Sequence, residues 1–176
     1  MEPSILYAPW RMDYIRGLIK PTPTEGCFIC EAGASTTDEQ RRQRLVLWST
    51  DHAVVMMNRF PYANGHLMIA PRAHKADPEE LTAEEQLDLF QQITESVKLL
   101  RRVVSAQGFN IGLNLGRCAG AGVPGHLHWH VVPRWAGDVN FMSVVGEVHV
   151  IPEAMSILYA ELIRVRAEMV KSASPP

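Results

Sequence analysis

The sequence predicts an α+β domain: an antiparallel five-stranded sheet carrying one long helix and a second helix near the C-terminal end. Three observations lead there. Short apolar runs outnumber helical stretches, and short turn-rich links let neighbours pair in sequence order. The stretch from Thr82 to about Gln107 repeats apolar residues at three- and four-residue steps, the period of a helix. Three histidines alternate in His126-Leu127-His128-Trp129-His130-Val131-Val132, and a strand would set all three imidazoles on one face, with Leu127, Trp129 and Val131 on the other.

In chain order, residues up to about 24 read as an N-terminal arm or short helix, mixing Tyr7, Trp10 and Tyr14 with Arg11, Asp13 and Arg16. Pro21-Thr22-Pro23-Thr24 interrupts regular structure before a tight turn at Cys27-Phe28-Ile29-Cys30. Polar residues 31–44 read as an exposed excursion. Leu45–Trp48 and Ala53–Met57 form a hairpin about Ser49-Thr50-Asp51. Asn58–Gly65 is a loop by its Pro and Asn-Gly content, and His66–Ala70 is a strand that Pro71 ends. Thr82 and Glu85 form a capping box for the long helix. Its stripe of Leu87, Phe90, Ile93, Val97, Leu100 and Val104 should be core, and Gly108 should end it. Phe109–Leu115 is a strand, Gly116–Gly122 a glycine-rich loop, and His126–Val132 the histidine strand. Arg134–Val148 mixes loop and extended structure. Residues 153–171 form the last helix, with Met155, Leu158, Leu162, Val165 and Met169 on one face, and about 172–176 are a frayed tail.

Composition narrows the function. With 176 residues and 47% hydrophobic content the chain suits one domain over 1–176 with a single well-buried core. A net charge of −2 without a long basic run argues against nucleic-acid binding. No apolar run approaches the ~18 residues that span a bilayer. The start, Met1-Glu2-Pro3-Ser4-Ile5, lacks a basic region followed by an apolar core, so no signal peptide and a cytoplasmic location are expected. Three cysteines are few and odd in number, so Cys27-x-x-Cys30 reads as metal-binding or redox before it reads as a disulfide.

The histidine strand beside a glycine-rich loop suits a phosphorylated substrate, because glycine lets a ligand approach backbone N–H groups closely. Cys27 and Cys30 offer half of a tetrahedral zinc site. Seven histidines (52, 66, 74, 126, 128, 130 and 149) could complete it, and spacing does not choose among them. A catalytic metal held by 126, 128 and 130 together is rejected, since successive same-face strand positions lie ~7 Å apart.

His126-Leu-His128-Trp-His130-Val-Val matches the histidine-triad pattern. The chain resembles that family's branch of diadenosine tetraphosphate phosphorylases, and the resemblance covers nearly its whole length. The stretches that carry it are Leu6–Tyr14, Cys27–Cys30, Asn58–His66, Gly112–Gly116, His126–Trp135 and Gly137–Phe141.

The resemblance implies a histidine-triad fold in which His128 attacks an α-phosphorus to form a nucleotidyl-histidine. His130 would serve the phosphoryl oxygens or leaving group, and His66 would complete the cluster. Cys27, Cys30, His74 and His126 would hold a structural Zn²⁺ with no open position. Asn58 would lie near the ribose and Asn114 near the phosphates, although either asparagine also suits a plain turn. Gly120, Ala121 and Gly122 would offer N–H groups to phosphate, and Met68 would touch the purine. Cys118 has no assigned role; His52 and His149 read as surface or loop residues, and Trp129 and Trp135 as packing.

The implied function is nucleotidyl transfer from a dinucleoside polyphosphate by a homodimer or higher oligomer. Its foremost form is phosphorolysis of diadenosine tetraphosphate to ADP and ATP, with phosphate as co-substrate. The alternatives are hydrolysis of diadenosine tri- or tetraphosphate or of nucleoside phosphoramidates, and a non-enzymatic nucleotide-binding regulatory module.

Overall fold

The computed structural model describes residues 26–138 and 153–173. The expected N-terminal arm, most of the stretch after Arg134, His149 and the last three residues lie outside them. The elements are α1 (Phe28–Gly33), α2 (Asp38–Gln43), β1 (Val46–Ser49), β2 (Ala53–Met57), β3 (Leu67–Pro71), α3 (Ala83–Val103), β4 (Gly108–Leu113), β5 (Trp129–Arg134) and α4 (Met155–Ala173). The strands form one sheet in the order β1-β2-β3-β5-β4, with every neighbouring pair antiparallel.

Both faces of the sheet centre are covered, which is why β2 and β3 read as unbroken apolar runs, buried at every position. One face sets Val55, Met57, Leu67, Ile69, Leu127 and Val131 against Leu89, Ile93, Leu99 and Leu100 of α3 and Leu158, Leu162 and Val165 of α4. The other face sets Val46, Val54, Met56, Met68 and Ala70 against Ile29 and Ala32 of α1. Trp129 packs on the helix-covered side, as its alternation with the histidines requires, and Trp135 Nε1–H donates to Val104 O at 2.9 Å.

The structure departs from the sequence reading in five places. Residues 31–44 are exposed for the most part but helical: α2 starts at a capping box in which Thr37 accepts from Gln40 N–H while the Gln40 side chain returns to the Thr37 backbone. On α3 the Thr82–Glu85 capping box is present, and of the expected stripe Ile93 and Leu100 are buried with Val97 and Val104 packed against the core, but its first two residues are not. Leu87 and Phe90 are 62% and 71% exposed, whereas Leu89, Gln92, Ser96 and Leu99 face the core. Gln92 can be buried because its Oε1 accepts from Trp48 Nε1–H at 2.8 Å. The helix also stops before Gly108: Val104 caps it and Ser105 takes the left-handed turn at φ 50°, so Gly108 opens β4 instead.

The histidine segment joins the sheet only from Trp129; Leu127 N–H is held by Lys75 O at 2.7 Å. Lastly, α4 runs through the expected tail as far as Ala173. Its expected apolar face is the one buried. Gly65, which ends the Asn58 loop, must be glycine: its φ is +82° and a Cβ there would stand 3.0 Å from Leu100 Cδ2.

Candidate active site and metal centre

The histidines gather on the face opposite α3, between the start of β3 and the start of β5. Met68 and Gly112 flank His130 in the sheet register. His66 Nε2 lies 2.9 Å from His130 Nδ1, and the rings of His128 and His130 meet edge to face with centroids 5.1 Å apart. The hydrogen bonds assign the protons. Nδ1 of His128 is 2.8 Å from His126 O; a carbonyl can only accept, so Nδ1 carries a hydrogen, and the tautomer this bond selects has its lone pair on Nε2. Tyr62 N–H donates to His66 Nδ1 at 3.1 Å. Neutral His66 is therefore protonated on Nε2 and donates to His130 Nδ1, which leaves the His130 proton on Nε2.

Burial enforces neutrality. It pushes His66 down to about 3, with His130 and His128 adding to the shift, and His130 down to about 4, with His128 adding. Both rings are therefore uncharged at neutral pH.

Beside the cluster opens a pocket of about 350 Å³ lined by Phe28, Glu31, Arg44, Leu45, Met56, Met57, Asn58, Arg59, Phe60 and Met68. Asn58 links pocket to cluster: its Nδ2 is 3.4 Å from His66 Nδ1, and its Oδ1 accepts from Phe60 N–H at 2.9 Å. The glycine loop lies on the β4 side. Gly120 is left-handed at φ 89° and its carbonyl accepts from Asn114 Nδ2 at 3.5 Å. The N–H groups of Gly120 and Ala121 close the loop on Arg117 O and Gly116 O. They would have to share those bonds to hold a phosphate, whereas Gly122 N–H is in no backbone hydrogen bond among the described residues.

Immediately upstream of the cluster, Cys27, Cys30, His74 and His126 bring four ligand atoms within 4.8 Å of one another. His126 Nδ1 lies 3.2 Å from Cys27 Sγ and 3.4 Å from Cys30 Sγ, and His74 Nδ1 lies 3.2 Å from Cys30 Sγ. A tetrahedral ion with Zn–S of ~2.3 Å and Zn–N of ~2.0 Å needs S-to-N separations of this size. Pro71 O accepts from His126 Nε2 at 2.8 Å, so the other nitrogen of that ring faces the sulfurs as an unprotonated donor. Burial and neighbouring Cys27 push the Cys30 thiol up, a penalty that a bound cation reverses. The donor set therefore fits a closed Cys₂His₂ site.

The structure brings the expected residues into two adjoining groups, with Asn58 and Met68 at the pocket and Asn114 to Gly122 on the loop. Sequence reasoning missed Phe28, Glu31, Arg44, Arg59 and Phe60 as pocket lining, and Tyr62 as the partner of His66. A signal was present for Phe60 and Tyr62: large aromatics in a loop, here 79% and 55% exposed.

A five-stranded antiparallel α+β fold with an imidazole cluster beside a pocket defines a histidine-cluster protein. The signature of the HIT domain matches residues 39–137, so the chain belongs to the HIT domain family. It is 33% identical over 151 residues to the "AP-4-A phosphorylase" of Mycobacterium tuberculosis, covering 85% of this chain and 77% of that one. It is 32% identical over 100 residues to the asymmetrical bis(5'-nucleosyl)-tetraphosphatase of Schizosaccharomyces pombe, covering 57% of this chain and 54% of that one. Among solved structures, a zinc-bound histidine triad family protein from Mycobacterium smegmatis superposes with a TM-score of 0.64 at 20% identity, over 84% of this chain and 97% of that one. That likeness concerns the fold. Among the described residues, no helix is long and apolar enough to cross a membrane.

Proposed function

We propose that this protein transfers a nucleotidyl group from a dinucleoside polyphosphate through a covalent intermediate on His128, with phosphate as the preferred acceptor. The observation that carries the reading is the bond from His128 Nδ1–H to His126 O, which selects the tautomer whose lone pair, on Nε2, is the nucleophile. His128 Nε2 attacks the α-phosphorus; an N–P bond forms as the P–O bond to the leaving polyphosphate breaks. The His126 carbonyl supports the positive charge that then develops on the ring. His130, whose proton is kept on Nε2 by His66, donates to the departing oxygen. A phosphate oxygen then attacks from the vacated side and the N–P bond breaks, so diadenosine tetraphosphate and phosphate give ATP and ADP.

Asn58 and Met68 serve the nucleoside in the pocket they line, and Asn114 shapes the loop that Gly120 to Gly122 turn toward the phosphates. Holding the acceptor there makes its attack effectively intramolecular, worth ~7 kcal/mol or more in favourable cases. The Mycobacterium tuberculosis relative supports this acceptor, at greater coverage than the hydrolase from Schizosaccharomyces pombe. When bound at Cys27, Cys30, His74 and His126, Zn²⁺ supplies a structural cross-link with no position open for substrate. A homodimer fits β4, an edge strand that leaves Ile111 48% exposed. Product analysis tests the acceptor. ADP and ATP at a rate that rises with phosphate are expected; AMP and ATP at a rate indifferent to phosphate would make the enzyme a hydrolase.

A further inference from the structure

One wall of the pocket has no role in that account. Helix α1 spans six residues, and its N-cap, Cys27, makes no side-chain capping bond. A helix so short has no stability of its own, so what seats it decides where its side chains lie. At three-residue steps it presents three faces. Ile29 and Ala32 are buried against the sheet, Cys27 and Cys30 turn to His74 and His126, and Phe28 and Glu31 line the pocket. Lifting one face moves the other two. Phe28 is 49% exposed, an aromatic ring left beside Met56 and Met68 with room on its open side. Glu31 pairs loosely with Arg44, 3.9 Å apart, and both groups keep capacity for a polar ligand edge.

We propose that α1 is a metal-held wall of the nucleoside pocket: Phe28 packs on the base, Glu31 and Arg44 meet its polar edge, and metal occupancy and nucleotide affinity are coupled. The proposal rests on the nucleotide reading above. Coupling is reciprocal: if the ion strengthens nucleotide binding by seating α1, a bound nucleotide must hold the ion by the same factor. A metal that only stapled the N-terminal turn would be indifferent to the contents of the pocket.

The test uses the full chain loaded with Zn²⁺, AMP as the probe, and 4-(2-pyridylazo)resorcinol as a coloured chelator. Calorimetry first measures AMP binding, and zinc affinity is then measured by equilibrium competition with the chelator, with and without saturating AMP. AMP is expected to tighten zinc binding on the order of fivefold or more. Phe28→Ala should lose most of that tightening and bind AMP more weakly, while Phe28→Tyr, which keeps the ring, retains both. If Phe28→Ala fails to fold, Phe28→Leu takes its place with the same expectation.

Bound AMP with an unchanged zinc affinity overturns the coupling and leaves the nucleotide reading standing. Full tightening in Phe28→Ala or Phe28→Leu removes Phe28 from the wall. Failure of the zinc-loaded protein to bind AMP overturns the nucleotide reading and this proposal together. A chain that retains no zinc after loading overturns this proposal and the structural zinc site with it, and leaves the nucleotide reading standing.

Discussion

His128 differs from His66 and His130, which bond each other, in its hydrogen bond to a backbone carbonyl, and that fixes the behaviour of its variants. His128→Ala should abolish turnover of diadenosine tetraphosphate while AMP binding, measured by calorimetry, stays within a few-fold of wild type. Near wild-type turnover would remove His128 from the mechanism. His66 and His130 predict a pH dependence of stability. Their pKa values, about 3 and about 4, lie below the ordinary 6.5, so the unfolded chain binds more protons wherever pH lies between those limits. Stability contributed by the neutral rings is complete above about pH 6.5 and falls as pH drops through that window. Urea midpoints at pH 7 and 5 should show the fall, and His66→Asn should reduce it. An unchanged slope in that variant would mean that burial does not hold His66 neutral.

Helix α3 is read correctly in kind and only in part in orientation: Ile93 and Leu100 of the expected stripe are buried, Leu87 and Phe90 are not. Periodicity located the helix and its capping box, but leucines and aromatics occur on two adjacent faces, and burial of Gln92 depends on its partner Trp48, 44 residues away in sequence. No local pattern carries that partner. The corrected face is testable: Leu89→Ala should cost about 2–5 kcal/mol and Leu87→Ala well under 1 kcal/mol in denaturant melts. The reverse order would restore the stripe read from sequence. Helix α2 was legible, since Thr37 and Gln40 are a capping box in plain view, outweighed in the reading by the polarity of 31–44. The pocket lining by α1 was not, because which of its three faces meets the pocket follows from docking on the sheet rather than from the helix's own residues.

For the whole molecule, alternation in His126–His130 and the order of apolar runs carried the sheet, three- and four-residue periodicity carried the two core-forming helices, and the place of His66 in the cluster needed the family resemblance. Choosing His74 and His126 over the other histidines as partners for Cys27 and Cys30 needed the family resemblance, since their meeting depends on long-range topology. Assembly is tested at the sheet edge. Ile111→Lys places a charge on the exposed strand β4 and should convert a dimer to a monomer in light scattering, whereas an unchanged mass would move the interface elsewhere. The covalent step can be tested directly. Rapid acid-free quenching of the protein with diadenosine tetraphosphate in phosphate-free buffer, followed by peptide mass spectrometry, should find one AMP moiety joined to His128 with loss of the polyphosphate. Addition of phosphate should discharge that adduct as ADP. Turnover with no adduct on His128, or an adduct on another residue, would contradict the account.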